Sequence, residues 1–377
     1  MFPGIACPLF PLPMGGIFTD LSLRTPYVQA WNLTLQRQLT PTIMLEGSYV
    51  GKVGTKIEAL RTYNPAKFIP GTAYDTSSQL ESALTNTGNI NDRVIFEPGI
   101  LSPDGYMLGN DFRSWYHSFQ TQVTKRFSRG YSVTASYALA KSIDTSSTDT
   151  LGGTVSDPFN LRTERGRSDW DRRQAFVVSW LWTPSVNFST PTLNTLLGGW
   201  TFTGITSIQS GLPMTFASGP DVAIDGTYGT QHAFTNGQTI GRSHSGRADM
   251  INQFFNTAAL IDPTCSYDPA AALGNPQYIE QNNCTTDGIK YSYLGTYGNT
   301  GRGILTGPAL SNTDFSILKN FAFRDRYKVQ FRSEFFNVFN QVNFSNPDST
   351  VTDGSAFGTI RSAGAGRVIQ FALKFLW

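Results

Sequence analysis

Apolar side chains recur at every second position through long stretches of this chain. That period is the signature of a β-strand, whose successive side chains point to opposite faces. Tyr27, Trp31, Leu33, Leu35 and Leu39 share one parity, and Asn32, Thr34, Gln36 and Gln38 the other. Ile43, Leu45, Gly47 and Tyr49 alternate with Met44, Glu46 and Ser48; Phe119, Val123 and Phe127 alternate with Ser118, Gln120, Gln122 and Thr124. After the turn residues Ser128-Arg129-Gly130, Tyr131, Val133, Ala135, Tyr137 and Leu139 oppose Ser132, Thr134 and Ser136, which predicts a hairpin. The pattern returns in Phe176, Val178, Trp180 and Trp182, and in Trp200, Phe202 and Ile208 against Thr201, Thr203 and Ser207. It weakens at Phe315, Ile317 and Phe321, then strengthens where Tyr327, Val329, Phe331, Phe335 and Phe339 face away from Lys328, Gln330, Arg332 and Glu334.

Segment length separates a membrane strand from a soluble one. Roughly 10 to 13 residues exceed the usual 5 to 6 of soluble sheets, and about ten residues at 3.3 Å, tilted near 40°, span about 25 Å, the height of a membrane barrel's apolar band. A soluble sandwich explains alternation but not the aromatics at strand ends, Tyr27, Phe127, Tyr131, Trp182, Trp200, Tyr327 and Trp377. Nor does it explain the unequal connections. Thr40-Pro41, Ser128 to Gly130, Ala322 to Arg326 and the medium link Thr183 to Gly199 lie at one end; long connections near 53–114, 144–171, 212–311 and 342–364 lie at the other. Short periplasmic turns and long outer loops belong to a bacterial outer-membrane barrel. The fold class expected is therefore all-β, an antiparallel transmembrane β-barrel of which about nine or ten strands are visible.

Composition agrees. Charged residues are only 15% of the chain, against about 25% in soluble domains, while aromatics reach 13%. Such aromatic content excludes a disordered chain, and no run of roughly 18 apolar residues suggests a membrane helix. A net charge of +2, without a dense basic cluster, argues against nucleic acid as a partner. Three cysteines and three histidines (Cys7, Cys265, Cys284; His117, His232, His244) form no zinc spacing, and Asp144, Asp149, Glu164, Asp169 and Asp171 fit no EF-hand. No cofactor is expected. Nucleophile elbows, phosphate loops and His-Glu-x-x-His motifs are missing, so the expected chemistry is binding and passage, not catalysis. Cys265 and Cys284 share one polar region, and a bridge between them closes a loop of about 20 residues, worth roughly 3 kcal/mol on the chain-entropy model.

The beginning carries no basic, apolar export signal, since its prolines interrupt any helix. A barrel must be exported, so the natural N-terminus is expected upstream, with residues 1–26 an irregular segment of an outer loop. At the other end Ile369, Phe371, Leu373, Phe375 and Trp377 alternate to the last residue, which resembles the C-terminal assembly signal read by the barrel assembly machinery. Placing Trp377 at the periplasm and counting back gives about nine strands. Single-chain bacterial barrels have even numbers, so further strands are expected before residue 27.

Two charged features invite function. Arg162, Glu164, Arg165, Arg167, Asp169, Asp171, Arg172 and Arg173 form a run at the outer side. Its arginines can grip a polar ligand or lipopolysaccharide phosphates, or the run can pair with itself as a rim network, the reading favoured here. Arg332 and Glu334, two apart on the inner face, are expected to pair in the lumen.

Several segments together resemble the barrel of Oar-like TonB-dependent transporters. They are Tyr27-Val-Gln-Ala-Trp-Asn-Leu-Thr-Leu-Gln-Arg-Gln-Leu, Leu45-Glu-Gly-Ser-Tyr-Val-Gly-Lys-Val-Gly-Thr-Lys, Tyr116-His-Ser-Phe-Gln-Thr-Gln-Val-Thr-Lys-Arg-Phe-Ser-Arg-Gly-Tyr, Glu164-Arg-Gly-Arg-Ser-Asp-Trp-Asp-Arg-Arg-Gln-Ala-Phe-Val, Gly298-Asn-Thr-Gly-Arg-Gly-Ile-Leu-Thr-Gly-Pro and Phe331-Arg-Ser-Glu-Phe-Phe-Asn-Val-Phe-Asn-Gln-Val-Asn-Phe. The resemblance implies a barrel of about 22 strands, a plug, an N-terminal carboxypeptidase-regulatory-like domain and a contact with the TonB complex. Plug and N-terminal domain are not recognisable here, so residues 27–377 are expected to be the C-terminal portion of such a barrel. The expected function is uptake of a bulky polar nutrient across the outer membrane, with a passive porin or a loop-mediated adhesin as the alternative.

Overall fold

A computed structural model describes residues 14–68, 93–96, 101–147, 155–186, 188–226, 231–243, 246–265, 284, 288–290, 292–323 and 327–376. In chain order the strands are β1 (Met14–Thr19), β2 (Tyr27–Thr40), β3 (Ile43–Thr62), β4 (Leu101–Ser128), β5 (Tyr131–Asp144), β6 (Gly166–Arg167), β7 (Gln174–Trp182), β8 (Trp200–Gln209), β9 (Pro213–Met214), β10 (Phe234–Thr235), β11 (Leu260–Ile261), β12 (Leu305–Thr306), β13 (Leu310–Phe323), β14 (Tyr327–Phe336) and β15 (Val368–Leu376). Among the described residues, two short helices are α1 (Pro191–Leu197) and α2 (Arg247–Asn252).

Nine long strands form one antiparallel wall in the order β15-β14-β13-β8-β7-β5-β4-β3-β2. Sequence neighbours pair along it, so the connections are hairpins or loops that return beside their own strand. The wall does not close: β15 and β2 end the order without pairing to each other. At the short end, Arg129 and Gly130 both have positive φ (52° and 82°), the twist that a two-residue hairpin requires. A side chain on Gly130 would press within 2.6 Å of the Thr183 carbonyl.

Registers show why the alternation matters. Leu33 faces Tyr49, Tyr49 faces Phe119, and Phe119 faces Leu139, all on one surface. That surface continues through Phe176, Trp180 and Trp182 to Phe202, Phe315, Phe335, Phe331, Phe371 and Phe375. Much of it has no cover among the described residues. Leu35 is 71% exposed and Leu373 75%. The opposite surface carries Ser48, Gln120, Gln122, Ser136, Ser179, Thr203 and Ser316. A sheet that turns its greasy side outward and its hydroxyls inward is built for lipid outside and water within. Trp31 lies over Gly51 and Trp180 over Gly204, each ring so close that a Cβ on the glycine would clash, at 2.3 and 2.6 Å. The bulky ring covers the gap its partner leaves on the outer face.

Four expectations need correction. The connection placed at 53–114 is much shorter, because β3 runs on to Thr62 and β4 starts at Leu101. Above the membrane these strands change character: Ala59 and Phe112 are buried with Val155, and the register shifts at Thr55/Ile57 and Ile57/Ala59, where Lys56 has φ of 58°. Residues 14–19, expected to be irregular, form β1 and pair in parallel with that upper part of β4. Exposed backbone on the extended β4 offers an edge, and the segment fills it. Phe339 does not belong to its predicted strand: β14 stops at Phe336, and Asn337 (φ 53°) and Asn340 (φ 51°) turn the chain. The outer connections, expected only as long loops, fold together into a cap. Met214, Phe216, Ala233, Phe254, Phe255 and Leu260 from one loop pack with Val351 and Ile360 from another. The Phe216 and Phe255 rings meet at 4.8 Å, and Phe255 meets Phe357 at 5.3 Å. Cys265 and Cys284 are joined in a disulfide within the first of these loops, their Cα atoms 6.0 Å apart.

Candidate functional site

The polar inner face of the wall and the ring of loop side chains at its mouth are the surfaces a solute can meet. Along the inner face, short amides and hydroxyls bond across and along strands. Gln36 Nε2 donates to Glu46 (2.6 Å), Gln122 Nε2 to Thr124 Oγ1 (3.2 Å) and Gln330 Nε2 to Asn320 Oδ1 (3.0 Å). Ser132, Thr134, Ser179, Thr203, Asp314 and Ser316 line one groove. Arg332 and Glu334 pair on this same face, and Gln370 Nε2 also donates to Glu334. That pair satisfies itself at one end of the wall, while Glu46 and Asp314 put carboxylates elsewhere on the inner face.

At the mouth, the run from Arg162 to Arg173 is drawn into internal contacts. Arg167 Nε donates to Asp171 at 2.9 Å and its Nη1 to Thr306 Oγ1 at 2.8 Å. Asp171 in turn accepts the Ser142 amide at 2.8 Å, tying the run to the top of β5. Arg172 donates to the Ser210 carbonyl (2.7 Å) and Arg173 to that of Ala140 (3.4 Å), while Arg165 lies 5.0 Å over the Trp115 ring. Glu164 is buried, accepts the Ser156 amide at 2.7 Å and stands 3.8 Å from His232 Nε2. Arg162 is exposed. Burial holds the Arg172 guanidinium below its ordinary value and pushes the Asp169 carboxyl up, against the pull of Arg302.

The centre of this network is a residue the charge run does not contain. Arg302 pairs with Asp144 at the end of β5, donates to the Glu164 carbonyl at 3.0 Å, and lies 3.8 Å from Asp169. Its side chain and that of Asp144 are each 8% exposed. One guanidinium therefore ties the connection between β8 and β13 to the end of β5 and the connection that follows it, and its five donors fix several acceptors at once. The available signal was the Gly298-Asn-Thr-Gly-Arg-Gly segment: glycines there let backbone close in, and a side chain on Gly303 would crowd Arg167 at 2.9 Å.

The inner barrel-signal residues Ile369, Phe371, Leu373 and Phe375 lie on β15 facing outward, between 45% and 75% exposed. Trp377 lies outside the described residues. Among the described residues no group of three His, Cys, Asp or Glu is placed to hold a metal ion.

Comparison with solved structures returns outer-membrane transporters. The YddB transporter of Escherichia coli is 10% identical, with 96% of this chain and 34% of that one covered, at a TM-score of 0.44. The FrpB iron transporter of Neisseria meningitidis is 11% identical over 96% and 33% of the two chains, with a TM-score of 0.41. The ferric citrate transporter FecA is 12% identical over 93% and 31%, with a TM-score of 0.36. The chain thus spans about a third of the length of the structures it matches. No curated protein matches it. A family profile does, over residues 2–370. Lipid-facing aromatics, hydroxyl-lined inner face and profile agree: the chain belongs to the outer membrane beta barrel domain family, and is an integral protein of the outer membrane.

Proposed function

We propose that this chain is the C-terminal section of the barrel of an Oar-like TonB-dependent transporter that takes up a bulky polar nutrient. The observation that carries the reading is the open wall. Nine strands with a polar inner face end on two strands that do not pair with each other, and backbone edges left unpaired in lipid cost several kcal/mol per group. Further strands on either edge satisfy those groups, and a barrel enlarged in this way encloses a lumen wide enough for solute, unlike an eight-stranded one packed with its own side chains. The motifs spread from Tyr27 to Phe344 support the Oar-like assignment.

In this reading residues 27–377 form the barrel section and the plug, carboxypeptidase-regulatory-like domain and TonB contact lie in other parts of the protein. The strand holding Ile369, Phe371, Leu373, Phe375 and Trp377 engages the barrel assembly machinery. Arg162, Arg165 and Arg173, exposed beside Arg167 and Arg172, are in this reading the guanidinium groups that meet ligand or lipopolysaccharide phosphate. The folded cap favours a second reading, a loop-mediated adhesin on a structural barrel, because a packed outer surface suits partner recognition.

Deletion of the encoding locus distinguishes these readings. Cells grown on separate panels of oligosaccharides, peptides and metal chelates should lose uptake of one class, and a protonophore should abolish the same uptake in the parent. Unchanged uptake of all three classes, with lost surface adhesion, would overturn transport in favour of the adhesin.

A further inference from the structure

The link between β7 and β8, residues 183–199, contains no charged side chain, although it stands at the periplasmic end. Within it α1 carries Leu193, Leu196 and Leu197 at helical i, i+3, i+4 spacing, so they share one face. That face is uncovered: the three leucines are 43%, 54% and 52% exposed, and Val186 beside them is 42% exposed.

The end of the helix is fastened to the outer surface of the wall. Lys319 on β13 has the parity of Phe315 and Ile317, the lipid-facing side, yet it is only 1% exposed. Its Nζ donates to the Leu196 carbonyl at 2.8 Å and the Gly198 carbonyl at 2.6 Å, and lies 4.9 Å from the Trp200 ring and 5.0 Å from that of Phe321. Trp200 Nε1 donates to the same Leu196 carbonyl at 3.1 Å. A cation on the lipid face is costly unless paired. Here it is paired with the orphan carbonyls that every helix leaves at its C-terminus, where positive charge is favoured.

We infer that α1 is an interfacial anchor: Lys319 and Trp200 hold it on the lipid side of the wall, and Leu193, Leu196 and Leu197 insert among acyl chains of the inner leaflet. Lipid is the occupant because the leucine face continues the exposed aromatic surface at Trp182, beside the half-buried Trp200, without an exposed charge in the link. Three leucines also fall far short of the roughly 800 Å² per partner that a stable protein contact needs. Apolar side chains beside an uncharged polar face, at the end of an aromatic belt, are the makings of a helix that lies in the interface plane.

Depth-dependent quenching tests it. The full chain, with Cys7→Ser and Leu193→Cys bearing an environment-sensitive dye, is refolded into phosphatidylcholine vesicles whose acyl chains carry a doxyl group near the headgroup or near the methyl end. The anchor predicts strong quenching by the shallow doxyl and weaker quenching by the deep one, while a dye at Thr203→Cys on the inner face responds to neither. Adding Lys319→Met should cut the shallow quenching roughly twofold or more while heat-modified gel migration reports an intact barrel wall. Water-like emission quenched by iodide in the buffer would overturn the anchor. So would self-quenching that follows the labelled fraction, the mark of a second copy on this face. Shallow quenching unchanged by Lys319→Met would overturn the clamp.

Discussion

The wall and the cap of this protein solve opposite burial problems with the same residue types. In the wall, Phe371 is 70% exposed and Ser118 1%; in the cap, Phe216 and Phe255 are 0% exposed. Phe255 is held by the exclusion of water, at about 25 cal/mol per Å² of apolar surface removed from it. Phe371 stacks on the Phe331 ring at 6.5 Å but leaves most of its surface outside the protein, and its strand persists because every backbone amide in lipid must find a neighbour. Surrounding solvent, not hydrophobicity alone, decides which side of an element is inside.

The sharpest way to break that contrast is to truncate matched phenylalanines. Phe255→Ala should destabilise the cap by about 3–5 kcal/mol, read as loss of its protease resistance, with the wall's heat-modified migration kept. Phe371→Ala should leave the cap untouched and change little else. Equal effects at both positions would mean that the wall is an ordinary core. Arg302→Met should cost about 3–5 kcal/mol by leaving Asp144 buried without its cation, and should unseat the cap from β5, measured by urea titration of loop fluorescence.

Charge placed in the wall sharpens the lipid side. Leu35→Arg should cost about 2–4 kcal/mol in vesicle refolding, whereas Gln36→Arg, one residue along and facing the lumen, should be nearly neutral. A smaller effect comes with pH. Burial, then the Asp225 carboxylate, raises the Tyr297 hydroxyl, which donates to Asp225 at 2.6 Å, above its ordinary 10.0. A raised folded value keeps the protonated form in the fold, so this contribution is whole below about pH 10 and is lost as pH rises beyond it. Near-ultraviolet dichroism of Tyr297→Phe should show a flatter alkaline loss than the parent.

The wall was legible because lipid imposes one rule on every strand: parity named the outer face from Tyr27 to Phe375, and Arg129-Gly130 marked a hairpin. The cap was not. Phe216, Phe254 and Phe255 stand at no period, since a core built from loops recruits side chains through folded backbone that periodicity cannot describe. Lys319 hid in plain sight as an exception to apolar parity, and its partner carbonyls on α1 come from a segment over 120 residues earlier. Of the arginines, the charge run drew attention by density, whereas Arg302 acts from a glycine-rich segment and gathers more partners than any of them.

One measurement bears most directly on the inside-out wall. Single cysteines placed in turn from Trp31 to Gln36, in an otherwise Cys7→Ser chain, are labelled in vesicles and exposed to a lipid-bound quencher and to iodide. The wall described here predicts a period of two: lipid quenching at Trp31, Leu33 and Leu35, and iodide quenching at Asn32, Thr34 and Gln36. Protection of the odd positions from both quenchers would place them in a protein core and contradict the account.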